Sequence, residues 1–204
     1  MKFLSWIPGV AIAAAVLSGC HAAPPLHYYA LDAVSPAGAA GHADVPWLIH
    51  VRHVGVPHEI DHLGLTHHLG PTQLAISDSD QWTAPLSVLI QGTITRDLGE
   101  RLGYEHVVAV DALAVASHPA AAQVGGSGTA QTVLDLDFVS LSADDTCAVT
   151  AQVNWTVSGA SGPARRGTAH LAAPASGCPA GLPTALSAAL GDLADQLATH
   201  LTTP

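Results

Sequence analysis

The chain has 204 residues, of which 49% are hydrophobic, and its sixteen acidic residues outnumber six basic ones to give a formal net charge of -10 at pH 7. Beyond Lys2 the basic side chains are five arginines: Arg52, Arg96, Arg101, Arg165 and Arg166. Nucleic acids and anionic membrane surfaces attract clustered basic residues, so this composition argues against both as ligands. The length suits one domain with a buried core.

The N-terminus has the pattern of an export signal. Lys2 precedes an apolar run over residues 3–17, and Leu17-Ser18-Gly19-Cys20 follows. This arrangement is typical of a bacterial lipoprotein signal peptide, which is cut before a cysteine that becomes acylated. The alternatives are a plain signal peptide and a single transmembrane helix. Spanning a bilayer takes about 20 apolar residues, and Pro8 and Gly9 interrupt this shorter run.

The same motif predicts the layout of the chain. We expect a signal peptide over residues 1–19, a tether over 20–27 that begins with lipidated Cys20, and a domain over 28–204. Two or more acyl chains anchor a protein stably to a membrane. Residue His21 follows the cysteine, whereas an aspartate there commonly retains lipoproteins of two-membraned bacteria in the inner membrane. By resemblance to those lipoproteins, we expect the protein to be anchored at the periplasmic face of the outer membrane.

The first half of the domain alternates strand patterns with turns. The bulge expected in the second strand follows from a change of phase in its period-two pattern. The predicted elements are a strand over Tyr28–Leu31, a loop over 33–46, a strand over Trp47–Val56 with a bulge near His53 or Gly55, a hairpin-like excursion over 58–76 that turns at Gly70-Pro71, and a polar turn over Ser77–Gln81.

An amphipathic helix follows. Its apolar stripe repeats every four residues, through Leu86, Ile90, Ile94, Leu98 and Leu102. We expect Thr83 as the N-cap, Pro85 in the first turn and Gly103 just after the last turn.

The second half of the domain reads as antiparallel strands and a last helix. The predicted elements are a strand over Glu105–Val110, a glycine-rich loop over 116–130, a strand over Leu134–Phe138 with Asp135 and Asp137 facing outward, a strictly alternating strand over Cys147–Val157, a strand over Arg165–Ala173, and a leucine-striped helix from Pro183. The sequence therefore predicts an α+β single domain, mainly an antiparallel sheet with two amphipathic helices.

The motifs of common catalytic and metal sites are missing from the sequence. It contains no Gly-x-Ser-x-Gly elbow and no His-Glu-x-x-His pair, so we expect neither an enzyme nor a cofactor. Six histidines crowd residues 50–68, namely His50, His53, His58, His62, His67 and His68. They could indicate a metal site or a pH sensor. The alternative, which we favour, is that histidine takes polar positions in a chain without lysine.

Two cysteines remain in the exported domain. Cys147 starts the inward-facing row of a strand and Cys178 lies before the last helix. Disulfides form in oxidising compartments, so we expect a bridge; the alternative is two buried free thiols.

The order and spacing of several blocks resemble a known family. After the cysteine come Tyr28-Tyr29-Ala30-Leu31, then Val56-Pro57 and Ile60-Asp61, then Trp82-Thr83-Ala84-Pro85-Leu86 with its helix. The chain resembles the auxiliary lipoproteins of ABC-type transport systems, the PqiC-like group that accompanies MCE-domain proteins. The resemblance makes Tyr28, Tyr29, Leu31, Pro57, Asp61, Trp82, Pro85 and Leu86 the family-motif residues. One departure is His62, where an arginine is expected.

The resemblance also implies a function. MCE proteins form tunnels that carry lipids across the periplasm, and the lipoprotein would dock or receive the tunnel end, as a ring-like homo-oligomer. A stand-alone lipid carrier or assembly lipoprotein is the rival hypothesis, and an envelope hydrolase is a third. Because an acidic ring repels itself, we expect one or more of the five arginines to contribute to subunit contacts. Weak surface ion pairs are the alternative role for them.

Overall fold

The structure is a computed structural model that describes residues 25–36, 47–109, 130–159 and 162–202. The signal peptide, Cys20 and the predicted loop up to residue 129 lie outside the described residues. The described elements are β1 (His27–Tyr29), β2 (Trp47–Gly55), β3 (Gly64–Gly70), β4 (Gln73–Trp82), α1 (Leu86–Leu102), β5 (Val107–Ala109), β6 (Ala130–Ala143), β7 (Val149–Gly159), β8 (Gly162–Ala173) and α2 (Leu182–Thr202). The predicted α+β class is confirmed.

The larger sheet has five strands in the order β5-β2-β6-β7-β8. The longest pairings, β6 with β7 and β7 with β8, are antiparallel as predicted. Strand β2, however, runs parallel to both β5 and β6. Parallel neighbours require a long crossover, and α1 lies in the connection between β2 and β5. The predicted bulge is confirmed, since the register of β2 against β6 shifts between Val51 and His53.

The smaller sheet has three strands in the order β1-β4-β3, and we call it the small sheet. Strand β3 pairs antiparallel with β4 as the predicted hairpin, whereas β1 lies parallel to β4. The polar turn predicted over Ser77–Gln81 is wrong, because these residues belong to β4. They form a bulge of several residues, since Gly64 pairs with Gln81 while Thr66 pairs with Ile76.

The bulge explains why the sequence resembles a turn. The backbone N–H of Asp80 donates to the Ser77 hydroxyl oxygen at 2.9 Å, and that hydroxyl donates to the Asp80 carboxylate at 2.8 Å. Serine and aspartate make such local bonds in turns, and here the same bonds satisfy polar groups that leave the strand ladder.

Helix α1 has the predicted stripe and a different cap. Its five stripe residues are each at most 4% exposed. The N-cap position is Pro85, which has no side-chain capping bond, so the expectation for Thr83 is wrong. Asp61 caps the helix from the preceding loop: its carboxylate accepts the N–H and the hydroxyl of Ser87 at 2.9 and 3.0 Å. A carboxylate here also complements the helix dipole. Gly103, at φ 96°, ends the helix as predicted.

The two helices pack against each other and against one face of the five-stranded sheet. The leucine stripe of α2 is buried against β7 and β8: Leu186, Leu190, Leu193, Leu197 and Leu201. Trp155 of β7 lies over Gly167 of β8, where a Cβ atom would come within 2.5 Å of the indole. Neither described helix has the length and apolarity of a membrane span. The other face of the sheet carries polar side chains, including the outward-facing Asp135 and Asp137 that the alternation predicts.

Candidate functional site

The N-terminal segment, residues 25–36, connects the predicted tether to the domain. Its strand β1 pairs with the end of β4, where Tyr29 lies opposite Trp82. The Tyr29 carbonyl accepts the N–H of Thr83 at 2.9 Å. Leu31 is only 4% exposed and belongs to the hydrophobic core. The end of the chain nearest the predicted anchor is therefore held by a strand pairing and a buried side chain.

Asp80 fixes β1 to the bulge of β4. Its carboxylate accepts hydrogen bonds from the hydroxyls of Ser77, Ser79 and Tyr29, and lies 3.2 Å from the Nδ1 atom of His27. These bonds, with that of Ser77 the strongest contribution, hold the pKa of Asp80 below its ordinary value. Burial and the neighbouring Asp80 charge raise the pKa of Tyr29. At neutral pH the phenol is therefore a donor and the carboxylate an acceptor.

Behind β1, the segment is clamped between the two helices. The Asp97 carboxylate accepts the N–H of Val34 at 2.7 Å, and the Arg101 guanidinium donates to the Val34 carbonyl at 3.1 Å. Arg101 also donates to the Asp195 carboxylate and the Gly191 carbonyl of α2, at 2.6 and 3.1 Å. A Cβ atom on Gly191 would come within 2.9 Å of Val34. We call Val34, Asp97, Arg101, Gly191 and Asp195 the clamp.

Asp97 is the buried carboxyl group of the clamp, and its pKa is raised. Its side chain is fully buried, and one of its oxygens, Oδ2, has no hydrogen-bond partner. Burial raises the pKa of Asp97 to about 6, and it outweighs the hydrogen bond from Val34 and the charge of Arg101, both of which lower the pKa. The ion pair is loose, with 3.8 Å between the closest charged atoms of Asp97 and Arg101.

This raised pKa predicts a specific pH dependence of stability. The folded protein binds the Asp97 proton more tightly than the unfolded chain, so the stability linked to that proton is lost as the pH rises through about 6. We expect the free energy of unfolding of the wild type, relative to that of Asp97→Asn, to fall by about 2–3 kcal/mol between about pH 4 and about pH 8. Urea unfolding of both proteins across this range measures the difference.

The control for this prediction is Asp32→Asn, because the Asp32 side chain is 93% exposed. We expect its difference from wild type to change little with pH. Groups common to both proteins cancel, such as His50, whose pKa is lowered by burial. A wild type that differs from Asp97→Asn by the same amount at every pH would show that Asp97 titrates normally.

The arginines differ in their roles. Arg101 is 7% exposed, and its guanidinium donates to groups inside the domain. Arg52 makes a bidentate pair with Asp135 on the face of the large sheet opposite α1 and α2. Arg96 donates to the Leu31 carbonyl at 2.9 Å. A role of one or more arginines in subunit contacts stays a prediction.

Most family-motif residues surround the start of α1. Trp82 and Leu86 are buried there, at 2% and 4% exposure, on either side of Pro85. The Pro57 carbonyl accepts the N–H of Ile60 at 3.1 Å and makes the turn that leads to Asp61. Tyr29 and Leu31 lie beside this cluster in the N-terminal segment. Tyr28 is separate, since 62% of it is exposed. In place of the expected arginine, His62 bonds locally with the Glu59 carbonyl and the Thr66 hydroxyl.

The histidine-rich segment is divided between the two sheets. His50 lies on β2, while His67 and His68 lie on β3. Among the described residues, the group whose potential metal-ligand atoms approach one another is His67 with Cys147 and Cys178, all within 4.8 Å. The two sulfur atoms are bonded to each other and so do not offer thiolates, the form that binds metals.

The structure joins Cys147 and Cys178 by a disulfide, with 5.1 Å between their Cα atoms. Cys147 is fully buried and has a φ of 65°, in the left-handed region. The predicted start of the strand at Cys147 is wrong, because β7 begins at Val149 and Cys147 lies in the turn before it, where its N–H donates to the Asp144 carbonyl. The bond connects this turn to the segment that precedes α2. It therefore constrains how the last helix packs onto the large sheet.

In the described part of the chain, the apolar cavity at the junction of the two sheets is small. A cavity of about 30 Å³ lies where the small sheet meets both helices and the β6–β7 hairpin. Its lining is largely apolar and includes Ile60, Trp82, Leu86, Leu141 and Leu182. A lipid-sized ligand needs several hundred Å³. Clefts of about 430 and 340 Å³ open to solvent beside the hairpin tips and beside Arg52, and polar groups contribute to their walls.

Comparisons with known proteins identify the class of the molecule. Residues 29–198 match the family described as ABC-type transport auxiliary lipoprotein component. The chain belongs to this family, as the motif blocks predict. No curated protein matches it.

Solved structures share the fold. One is the crystal structure of an uncharacterized protein, 17% identical, with a TM-score of 0.64, covering 87% of this chain and 99% of its own. Another is a protein from Xanthomonas campestris of the DUF330 family, 19% identical, with a TM-score of 0.62, covering 86% of this chain and 95% of its own. At these identities the likeness concerns the fold.

The clamp was not predicted from the sequence, although a signal for it exists. Asp97 and Arg101 are four residues apart and border the apolar stripe at Ile94 and Leu98. A charged pair at this spacing on the buried side of a helix indicates an internal ion pair rather than a solvated one. Its partners Val34 and Asp195 are distant in sequence and carry no such signal.

Proposed function

We propose that this protein is an outer-membrane lipoprotein on the periplasmic side that docks or receives the periplasmic tunnel of an MCE-type lipid transport system and supports envelope integrity. The observation that carries the proposal is the family match over residues 29–198, which spans nearly the whole domain. Its parts are a signal peptide over residues 1–19, a tether over 20–27 that begins at acylated Cys20, and the auxiliary lipoprotein domain over 28–204.

The interior of the domain supports docking over carrying. A carrier must enclose a lipid chain, whereas the cavity between the small sheet and the helices holds about 30 Å³. The face of the large sheet opposite α1 and α2 instead carries polar side chains and the Arg52–Asp135 pair. Such a surface suits a non-enzymatic component that binds protein partners.

A ring of copies fits this role. Each subunit of a cyclic ring presents two different surfaces to its neighbours. At a net charge of -10 per chain, these contacts have to be apolar or paired through arginine for the ring to be stable. Arg52, Arg165 and Arg166 are the arginines on the strands of the large sheet.

The first test concerns the anchor. We expect Cys20→Ser to remain an uncut precursor that is absent from the outer membrane, because cleavage follows modification of the cysteine. His21→Asp is the matched control, in which acylation persists and the protein stays in the inner membrane. Membrane fractionation with mass measurement of the N-terminal peptide checks both. Acylated Cys20→Ser protein in the outer membrane would refute the anchor.

The second part of the test concerns the partner. Tagged wild-type protein from detergent-solubilised envelopes should retain an MCE-domain protein, and light scattering of residues 21–204 should show an oligomer. The Cys20→Ser precursor should retain less of the partner, since it does not reach the outer membrane. A strict monomer that retains no MCE-domain protein would eliminate the docking role and leave the stand-alone carrier as the better hypothesis.

A further inference from the structure

The exposed apolar side chains of this molecule are unevenly distributed. In the described part of the chain, eleven large apolar side chains are exposed. Six of them belong to the small sheet or to the residues beside it, although this is the smaller of the two sheets: Leu26, Tyr28, Leu63, Leu69, Leu74 and Ile76. The other five are distributed over the rest of the described residues. Clustered exposed apolar groups mark a surface that contacts a membrane or another molecule.

Geometry places part of this set on one face. Thr66 pairs with Ile76 and His68 pairs with Leu74 in the β3–β4 ladder. Directly paired residues point to the same side of a sheet, as do residues two apart along a strand. Leu74 and Ile76 therefore share a face, at 37% and 56% exposure.

The tether brings this sheet close to the membrane. Strand β1 belongs to the small sheet, and its first residue, His27, is seven residues from Cys20. Seven extended residues reach about 25 Å at most. A domain of this size has a diameter of about 40 Å, so the chain cannot place the small sheet on the far side from its anchor. The tether therefore keeps the first strand of the small sheet within about 25 Å of the bilayer.

The charges of the region decide what kind of contact is possible. Residues 53–95 contain no lysine or arginine, so attraction to anionic headgroups cannot drive the contact. The apolar side chains and the exposed phenol of Tyr28 are instead the groups that partition into the headgroup region of a bilayer.

We infer that the small sheet rests on the lipid surface that holds Cys20, with Tyr28 and Ile76 in the headgroup region. This inference rests on the lipid anchor of the proposed function. The contact orients the domain, because it fixes a second point besides the tether. The face of the large sheet opposite α1 and α2 then has a defined direction relative to the membrane.

Site-specific fluorescence on vesicles tests the inference. The mature, lipidated chain carrying Ile76→Cys is labelled with an environment-sensitive thiol reagent and reconstituted into phosphatidylethanolamine–phosphatidylglycerol vesicles that contain a lipid with a shallow nitroxide quencher. Val139→Cys is the matched control, because Val139 is 52% exposed against 56% for Ile76 and lies on β6 of the large sheet. The bonded sulfurs of Cys147 and Cys178 do not react with the label.

We expect the label at residue 76 to be blue-shifted and quenched several-fold more than the label at residue 139, since interfacial groups lie about 5–10 Å deep. High salt should not weaken the quenching, because no protein cation is involved and added ions only screen the repulsion between the acidic domain and phosphatidylglycerol. Equal quenching at both positions overturns the inference. So does protection of residue 76 that appears only when an MCE-domain protein is added, which would make this sheet a protein-docking surface.

A second arm separates this inference from the proposed anchor. The same labelled chains, with Cys20 replaced by Ala and a histidine tag in front, are held on nickel-chelating vesicles. The contrast between residues 76 and 139 is expected to persist there, because the tag takes the place of the acyl chains. If the authentic chain fails to float with vesicles while this contrast persists, the anchor is wrong and the surface contact stands. If the contrast is absent in this arm, the surface contact is wrong.

Discussion

Replacement of Arg101 by Leu is expected to lower the free energy of unfolding by about 3–5 kcal/mol, because it leaves the buried Asp97 carboxyl group without its counter-charge. The guanidinium donates to the Asp195 carboxylate and to the carbonyls of Val34, Asp97 and Gly191, at 2.6 to 3.1 Å. Leucine fills part of the volume and satisfies none of these acceptors. Urea unfolding at neutral pH with the disulfide intact measures the loss.

Arg96→Leu is the matched control on the same helix. Its side chain is 48% exposed and its ion pair with Asp32 spans 3.7 Å, so a loss of about 0–1 kcal/mol is expected. Adding Asp97→Asn to Arg101→Leu should recover part of the loss, because the uncompensated charge is then removed. Limited proteolysis should cut residues 25–36 faster in Arg101→Leu than in Arg96→Leu. Equal stability losses in the two single variants would mean that the clamp contributes no more than a surface pair.

Removal of the disulfide is the second large effect. The bond closes a loop with a sequence separation of 31, and a loop of this length is worth about 3–4 kcal/mol in the chain-entropy model. We expect the Cys147→Ala/Cys178→Ala variant to lose about this much stability. Because Cys147 has a φ of 65°, Cys147→Gly/Cys178→Ala should regain about 1 kcal/mol of backbone strain.

Two measurements distinguish the effect of losing the disulfide from the effect of replacing the two cysteine side chains. Thiol titration of denatured, unreduced mature protein should find no free thiol, and two free thiols would exclude the bridge. Wild type treated with reductant should match the double alanine variant in stability. If the reduced wild type is as stable as the oxidised protein, the loop closure contributes nothing to stability.

Periodic patterns carried most of the correct predictions. The four-residue repeat from Leu86 to Leu102 and the strict alternation from Val149 to Val157 each describe one continuous buried face, and both elements occur in the structure. A single chain segment contains all the information in such a pattern. The α+β class follows from the order of these segments.

Features that depend on two distant segments were not predictable in this way. The parallel pairing of β2 with β5 depends on where α1 returns the chain, and the capping of α1 at Ser87 depends on Asp61, 26 residues away. Thr83 has the residue type of an N-cap but not the position. Ser77–Gln81 has turn chemistry, yet its local hydrogen bonds fit a bulge within a strand whose neighbours on both sides hold it extended.

The clamp has a mechanical consequence for a chain that is pulled from its N-terminus. Tension that enters at residue 25 first loads the three paired residues of β1, whose register with β4 runs from His27 to Tyr29. If that pairing breaks, the load passes through Leu31 to Val34. Asp97 and Arg101 of α1 bind the Val34 backbone, and Gly191 of α2 lies against its side chain. The helix pair thus takes up the strain before it reaches the strands β7 and β8, against which α2 packs.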